Sequence, residues 1–190
     1  MKLVLASASP RRQDLLARLG LPFTVEASHV DETPRPGERP EELAERLALA
    51  KARDVAARHA DGLVIGADTV VARHGRLYGK PCDEAEAAAM LRDLRAGPHR
   101  VVTGVAVVRA SDGAVRSAIV AATVVMRPYG DADIAAYVAT GEPMDKAGAY
   151  GAQGEGSRLI EQVVGPFLTV VGLPLDELVP LLRELGMEEA

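Results

Sequence analysis

The sequence predicts an α/β fold in which helices flank a mixed central β-sheet. Apolar runs rich in β-branched residues alternate with segments of helical periodicity, a pattern typical of strands joined by helices. Two long apolar runs, 100–109 and 114–126, flank Ser111-Asp112-Gly113 and are typical of a hairpin. Because the strands of a hairpin are antiparallel, the sheet is expected to be mixed rather than purely parallel.

A strand, a helix and a second strand are predicted at the start of the chain. Residues 2–6 form a short buried strand, after which Ser9-Pro10 provides a helix N-cap and a proline at the first helical position. The helix is expected to end near Leu19, and residues 23–27 form the second strand.

The middle of the chain predicts two helices around a buried strand. Pro40 begins a helix that extends to about Arg58, and the continuous apolar run 63–71 favours a strand buried on both faces. After a turn at His74-Gly75, a helix over 83–94 is expected.

Beyond the hairpin, the chain contains a glycine-rich stretch between regular elements. A helix over 131–140 precedes the stretch 141–156, and a strand over 159–164 and a helix from about Asp176 follow. We find no repeat and no low-complexity linker, so residues 1–190 are expected to form a single domain.

Composition excludes several classes of protein. The formal net charge is −5 and no long basic run occurs, which argues against nucleic acid as a partner. The apolar run at residues 3–6 is too short for a signal peptide or a membrane span, so no membrane partner is expected. Cys82 is the single cysteine and is expected to be buried or half-buried. Because one cysteine cannot form an intramolecular disulfide, the sequence indicates a cytoplasmic protein.

Lysine is scarce: of 22 basic residues, 18 are Arg and four are Lys. Such a bias indicates that Arg replaces Lys wherever the site tolerates it. The surviving lysines are therefore candidates for positions where the planar guanidinium does not fit. Three of them, Lys51, Lys80 and Lys146, lie in or beside the candidate functional segments described next.

The first candidate segment is Ser7-Ala8-Ser9-Pro10-Arg11-Arg12, at a predicted strand-to-helix junction. Helix N-termini present free N–H groups, and hydroxyls and guanidiniums add donors for phosphate oxygens. The alternative is an ordinary capped helix with a solvated Arg pair.

The second candidate is Asp68, which interrupts an apolar strand. A carboxylate there is costly unless a metal, a cation or strong donors balance its charge. Gly66 allows a backbone or a ligand to approach closely. The alternative is a buried Asp bonded only to backbone donors.

Three further segments add cations and carboxylates: Asp31-Glu32, Gly79-Lys80-Pro81, and the glycine-rich loop that carries Glu142, Asp145, Lys146 and Gln153. This mixture suits a magnesium-type ion held by one or two carboxylates and by substrate phosphates. No Walker A sequence, zinc-ligand spacing or Ser–His–Asp signature is present, and His29 and His99 are interpreted as peripheral or structural.

These segments together resemble the Maf family of nucleoside triphosphate pyrophosphatases, also called septum formation proteins. The resemblance covers nearly the whole chain and rests on the order and spacing of eight segments: 5–12, 31–32, 51–53, 66–71, 79–81, 99–104, 145–154 and 171–175. The loop sequence Ala149-Tyr150-Gly151-Ala152-Gln153-Gly154 is similar to that of the family branch preferring dTTP and UTP.

The resemblance implies hydrolysis of a nucleoside triphosphate between the α and β phosphates, in nucleotide-pool house-cleaning and with a possible role in cell-division arrest. It also implies Mg²⁺ or Mn²⁺ as cofactor, a homodimer, and a fold like that of the inosine triphosphate pyrophosphatases, with two lobes around a cleft.

The resemblance also assigns roles to individual residues. Asp68 is similar to the family's catalytic proton acceptor, and Arg12, Thr69 and Gln153 to positions associated with substrate choice. The expected catalytic residues are Asp68, Glu32, Lys51 and Lys80, with Asp68 and Glu32 as metal ligands. The expected substrate-binding residues are Ser7, Ser9, Arg11, Arg12, Thr69, Asp145, Lys146 and Gln153.

Two alternatives to a pyrophosphatase remain open at this point. A regulator of septum formation would bind the nucleotide without turnover, although binding alone would not need so many carboxylates beside a polyanion. A magnesium-dependent phosphatase of another kind would release orthophosphate. Whether Asp68 acts as general base or metal ligand is also open.

Overall fold

A computed structural model describes residues 1–187, which form seven strands and six α-helices around one mixed sheet. In chain order these are β1 (Leu3–Leu5), α1 (Pro10–Ala17), β2 (Thr24–Val25), α2 (Pro40–Ala56), β3 (Leu63–Arg73), β4 (Arg76–Tyr78), α3 (Glu84–Leu94), β5 (His99–Arg109), β6 (Val115–Met126), α4 (Asp131–Val138), β7 (Ile160–Val164), α5 (Phe167–Val171) and α6 (Leu175–Glu184). None of these helices is both long and apolar enough to cross a membrane.

The sheet has the strand order β2-β1-β3-β5-β6-β7, and β4 also pairs with β3. Strand β1 is parallel to both β2 and β3, with Leu5 opposite Val25 on one side and Ile65 on the other. Strands β4 and β7 are antiparallel to β3 and β6, respectively. The predicted mixed α/β fold class is therefore confirmed.

The longer elements lie where the sequence predicts them, but several local predictions are wrong. The strand expected over 23–27 contains only two residues, and the short helix α5 was not predicted. Ser9 is the N-cap residue of α1 and Pro10 its first helical residue, as predicted, although the Ser9 side chain makes no capping bond. Cys82 is exposed rather than buried. Asp83, by contrast, caps α3 by accepting from the Glu86 amide at 2.7 Å.

The described chain contains two compact units. The first unit comprises residues 1–69, 103–120 and the segment from Gly172 onward, and the second comprises 70–102 and 121–171. The single domain predicted over residues 1–190 stays a prediction, and its last three residues lie outside the described part of the chain.

In the first unit, helix α2 packs unusually close to the sheet. A Cβ atom added to Gly66 of β3 would lie 2.7 Å from the Ala52 nitrogen, and one on Gly104 of β5 would lie 2.8 Å from the Glu45 nitrogen. Real Cβ atoms do not approach backbone this closely, so both positions require glycine. The close approach at Gly66 that the sequence predicts is thus made by the backbone of α2.

The core of the second unit contains a buried pair of polar rings. His99 Nε2 and the Tyr150 hydroxyl are 2.7 Å apart, and the rings meet edge to face. Burial, with a smaller contribution from the positive charge of Arg73, lowers the pKa of His99 to about 4. His99 is therefore neutral at pH 7 and has a structural role, as expected. His29 is exposed.

Gly66→Ala is expected to destabilise the protein because its methyl group would meet the backbone of α2. We expect the free energy of unfolding to fall by about 1–3 kcal/mol, the usual cost of overpacking. Urea denaturation measures this change. Gly79→Ala is the matched control, since a Cβ at Gly79 meets nothing within 4 Å; equal stability of the two variants would contradict the account.

Candidate active site

A buried lysine joins two carboxylates in the first unit. Lys51 Nζ donates to Asp68 Oδ1 at 2.6 Å and lies 2.8 Å from Glu32 Oε1. The side chains of Lys51 and Asp68 are only 9% and 11% exposed, whereas that of Glu32 is 53% exposed. The buried part of the cluster is thus an ion pair, and Glu32 extends it towards solvent.

The local fold explains how this cluster forms. Lys51 lies on α2 directly before Ala52, the residue whose backbone approaches Gly66, and Asp68 lies two residues after Gly66 on β3. Residues two apart on a strand project to the same face, so Asp68 faces the helix that carries Lys51. The negative charge of the buried Asp68 is therefore balanced by Lys51 and not by backbone donors alone.

A second network surrounds the guanidinium of Arg12. Its Nε donates to the Gly172 carbonyl at 2.8 Å, and its two terminal nitrogens donate to Ser7 Oγ at 3.3 Å and Thr69 Oγ1 at 3.2 Å. Burial lowers the pKa of Arg12, and the negative charge of Asp68 opposes that shift. These bonds engage three of the five N–H donors of a guanidinium, which fixes the orientation of the fork.

Two members of this network, Thr103 and Gly172, are not identified as site residues from the sequence alone. Thr103, on β5, is completely buried and lies 2.9 Å from Thr69, hydroxyl to hydroxyl. Gly172 has a φ of +116°, and a Cβ there would lie 3.2 Å from the Thr69 hydroxyl. A polar residue inside an apolar strand is the signal that identified Asp68, and the same signal marks Thr103.

The structure separates the remaining expected residues into two groups. In the first unit, Ser9 and Arg11 are half-buried at the start of α1, and the Ser9 amide donates to Ser7 Oγ at 3.3 Å. In the second unit, Lys80 is exposed and Gln153 is half-buried. Lys146 Nζ donates to Asp145 Oδ1 at 2.6 Å, so these two form an ion pair.

Residues 2–185 match the family model described as Maf-like protein. This chain belongs to the Maf-like family. It is 52% identical over 187 residues to a dTTP/UTP pyrophosphatase of Moorella thermoacetica. The alignment covers 98% of this chain and 96% of the relative. A dTTP/UTP pyrophosphatase of Geobacter sulfurreducens is 50% identical and covers 97% of each chain.

Among solved structures, the nucleoside-triphosphatase / dITP/XTP pyrophosphatase of Mycobacterium abscessus aligns with 99% of the Maf-like chain and 100% of its own. The TM-score is 0.47 and the sequence identity 18%.

The Maf-like chain offers a divalent cation two carboxylates rather than a complete cage. Within residues 1–187, no group of three or more His, Cys, Asp and Glu side chains is arranged to hold a metal. Asp68 and Glu32, however, converge on one ammonium group. Magnesium is commonly bound by one or two carboxylates, with substrate phosphates and water completing the shell, so these residues fit such an ion.

Lys51→Met is expected to destabilise the Maf-like chain because it leaves Asp68 buried without its counter-charge. Removing one partner of a buried ion pair typically costs about 3–5 kcal/mol. The double variant Lys51→Met/Asp68→Asn should lose less stability than the two single variants together, since the unpaired charge is gone. Chemical denaturation of all four proteins measures the coupling, and strict additivity would contradict the ion pair.

Proposed function

We propose that this chain hydrolyses dTTP and UTP to the nucleoside monophosphate and pyrophosphate. The observation that carries this proposal is the buried Asp68–Lys51 pair, reached by Glu32, in a chain about half identical to dTTP/UTP pyrophosphatases along nearly its whole length. In this arrangement the Asp68 carboxylate, which can accept a proton from water or bind a cation, lies beside the Lys51 ammonium.

The chemistry requires that negative charge on the phosphates be neutralised. The α-phosphorus is shielded by anionic oxygens, so attack by water needs cations on the phosphates and an acceptor close to the water. The oriented fork of Arg12 suits phosphate oxygens, which it binds in pairs. Asp68 Oδ1 already accepts from Lys51, which leaves Oδ2 to take a proton from water or to bind the cation.

Mg²⁺ or Mn²⁺ is part of the proposal, with Asp68 and Glu32 as the protein ligands. When bound, such an ion supplies charge neutralisation to the phosphates. Lys51 has a separate task, because its contacts with both carboxylates hold them in place.

The other expected residues are assigned to the substrate. For the pyrimidine base we propose Gln153, whose amide both donates and accepts hydrogen bonds, with Arg12 and Thr69 also contributing to selectivity. For the phosphates we propose the cations Arg11, Lys80 and Lys146 and the hydroxyls of Ser7 and Ser9. Asp145, a carboxylate paired with Lys146, completes the proposed substrate-binding residues. Lys80 is further proposed to be catalytic. A nucleotide substrate agrees with the cytoplasm as location, and the homodimer stays a prediction.

Asp68→Asn is expected to lower pyrophosphate release from UTP by about 100-fold or more, the range for loss of a general acid–base group. The substitution keeps the size of the side chain and removes its charge. Asp61→Asn is the matched control, because Asp61 is an exposed carboxylate of the same unit. Pyrophosphate and orthophosphate are assayed separately, with thermal denaturation to verify folding.

Several outcomes of that assay would overturn the proposal. These are orthophosphate as the product, an Asp68→Asn variant as active as the parent, or a parent that binds UTP without turnover. Manganese binding measured on the same two variants distinguishes the roles of Asp68: a loss of affinity only in Asp68→Asn indicates a ligand, and unchanged affinity indicates a base.

A further inference from the structure

In the second unit, the carboxylate of Glu142 accepts three hydrogen bonds. Its Oε2 accepts from the Glu155 amide at 2.9 Å, and its Oε1 accepts from the Gly156 amide and the Tyr137 hydroxyl, both at 3.0 Å. A side chain that binds two successive backbone amides fixes the path of that segment. Glu142 therefore anchors the glycine-rich loop on the C-terminal side of Gln153.

Tyr137 extends the anchor to the other side of Gln153. Its hydroxyl oxygen accepts from the Gly151 amide at 3.2 Å while its proton goes to Glu142. Burial, and to a lesser degree the hydrogen bond to the Glu142 carboxylate, raises the pKa of the Tyr137 phenol. The hydroxyl thus stays protonated and can make both bonds. Through Tyr137, one carboxylate holds residues on both flanks of Gln153.

The loop is closely fitted to this carboxylate. A Cβ on Gly154 would lie 2.8 Å from Glu142 Oε2, and one on Gly151 would lie 3.2 Å from Oε1. Gly154 also has a φ of +73°, a conformation that side chains rarely adopt. Gly156 is constrained as well, since its Cβ would lie 2.7 Å from the Gly151 nitrogen. The Glu142 carboxylate thus limits the space at Gly154, whereas Gly151 and Gly156 are also confined by Lys146 and by the loop's own backbone.

Glu142 is held as an anion. Burial opposes ionisation, but the two amides, Tyr137 and the positive charge of Lys146 outweigh it, so the pKa of Glu142 lies below its ordinary value. Lys146 Nζ also donates to the backbone carbonyl of Glu142. Hydrogen bonds to a charged acceptor are stronger than neutral ones, which suits a rigid anchor.

We propose that Glu142 is a positioning residue that holds Gln153 in the orientation needed to recognise the pyrimidine base. Gln153 is half-buried, and its side-chain amide makes no hydrogen bond to the described residues, so its orientation depends on the backbone that carries it. The anchored segment begins two residues before Gln153 and ends three residues after it. This inference rests on the proposed pyrophosphatase function, with Gln153 as the base-reading residue.

The test compares Glu142→Gln with the control Glu161→Gln, which removes the same charge from an exposed residue of the same unit. A glutamine has the size of glutamate, but its amide nitrogen cannot accept from a backbone N–H. Two quantities are measured. The first is hydrogen exchange of the amides at Gly151, Glu155 and Gly156. The second is the ratio of kcat/KM for UTP to that for CTP, two pyrimidines that differ at the edge an amide reads.

We expect Glu142→Gln to speed exchange at these amides and to lower the UTP-to-CTP ratio by about 10-fold, roughly the net effect of one hydrogen bond. The control should change neither quantity. Faster exchange with an unchanged ratio, or an equal loss for both nucleotides, would show a merely structural role and overturn the inference. An unchanged exchange rate would also overturn it.

If Glu142→Gln does not fold, Tyr137→Phe provides a second test, because it removes the acceptor for the Gly151 amide and one of the three donors to Glu142. A reduced ratio in Tyr137→Phe supports the inference and a parental ratio overturns it. Failure of the proposed function is recognised separately, since the parent protein itself would then release no pyrophosphate from UTP.

Discussion

The backbone-to-backbone contact between helix α2 and the sheet is the constraint on which the candidate site depends. Gly66 and Gly104 lack the Cβ atoms that would otherwise hold the helix away. With the helix this close, the Lys51 ammonium reaches Asp68 at 2.6 Å and both side chains are buried. A protein interior is densely packed and yields little, so the close approach that the strand glycines permit limits how near Lys51 can come to Asp68.

The scarcity of lysine now has a more specific meaning. Lys51 bridges Asp68 and Glu32, and Lys146 pairs with Asp145 while bonding to the Glu142 carbonyl. Two of the four lysines are therefore compact cations enclosed by oxygen acceptors, where a planar guanidinium has a different shape and donor geometry. Lys80 is exposed, so this explanation does not extend to it.

Patterns that depend on local chemistry could be predicted from the sequence, and contacts between distant segments could not. The hairpin, the buried strand around Asp68 and the Asp83 cap follow from periodicity and short-range bonding. Glu142 bonds to the Glu155 amide, 13 positions along the chain, and Thr69 bonds to Thr103, 34 positions along. No rule based on neighbouring residues predicts either contact. Cys82 shows the opposite error, because the usual preference of cysteine for burial does not hold at this exposed position.

The most direct test of the account is the rate of pyrophosphate release from UTP by Lys51→Arg, with Lys2→Arg as control. The account requires a compact ammonium between the two carboxylates, so the longer, planar guanidinium should displace Asp68 or the helix. We expect Lys51→Arg to lose about 100-fold in rate, as an active-site misplacement of about 1 Å does, and Lys2→Arg, at an exposed position, to keep the parental rate. A parental rate in Lys51→Arg would contradict the account.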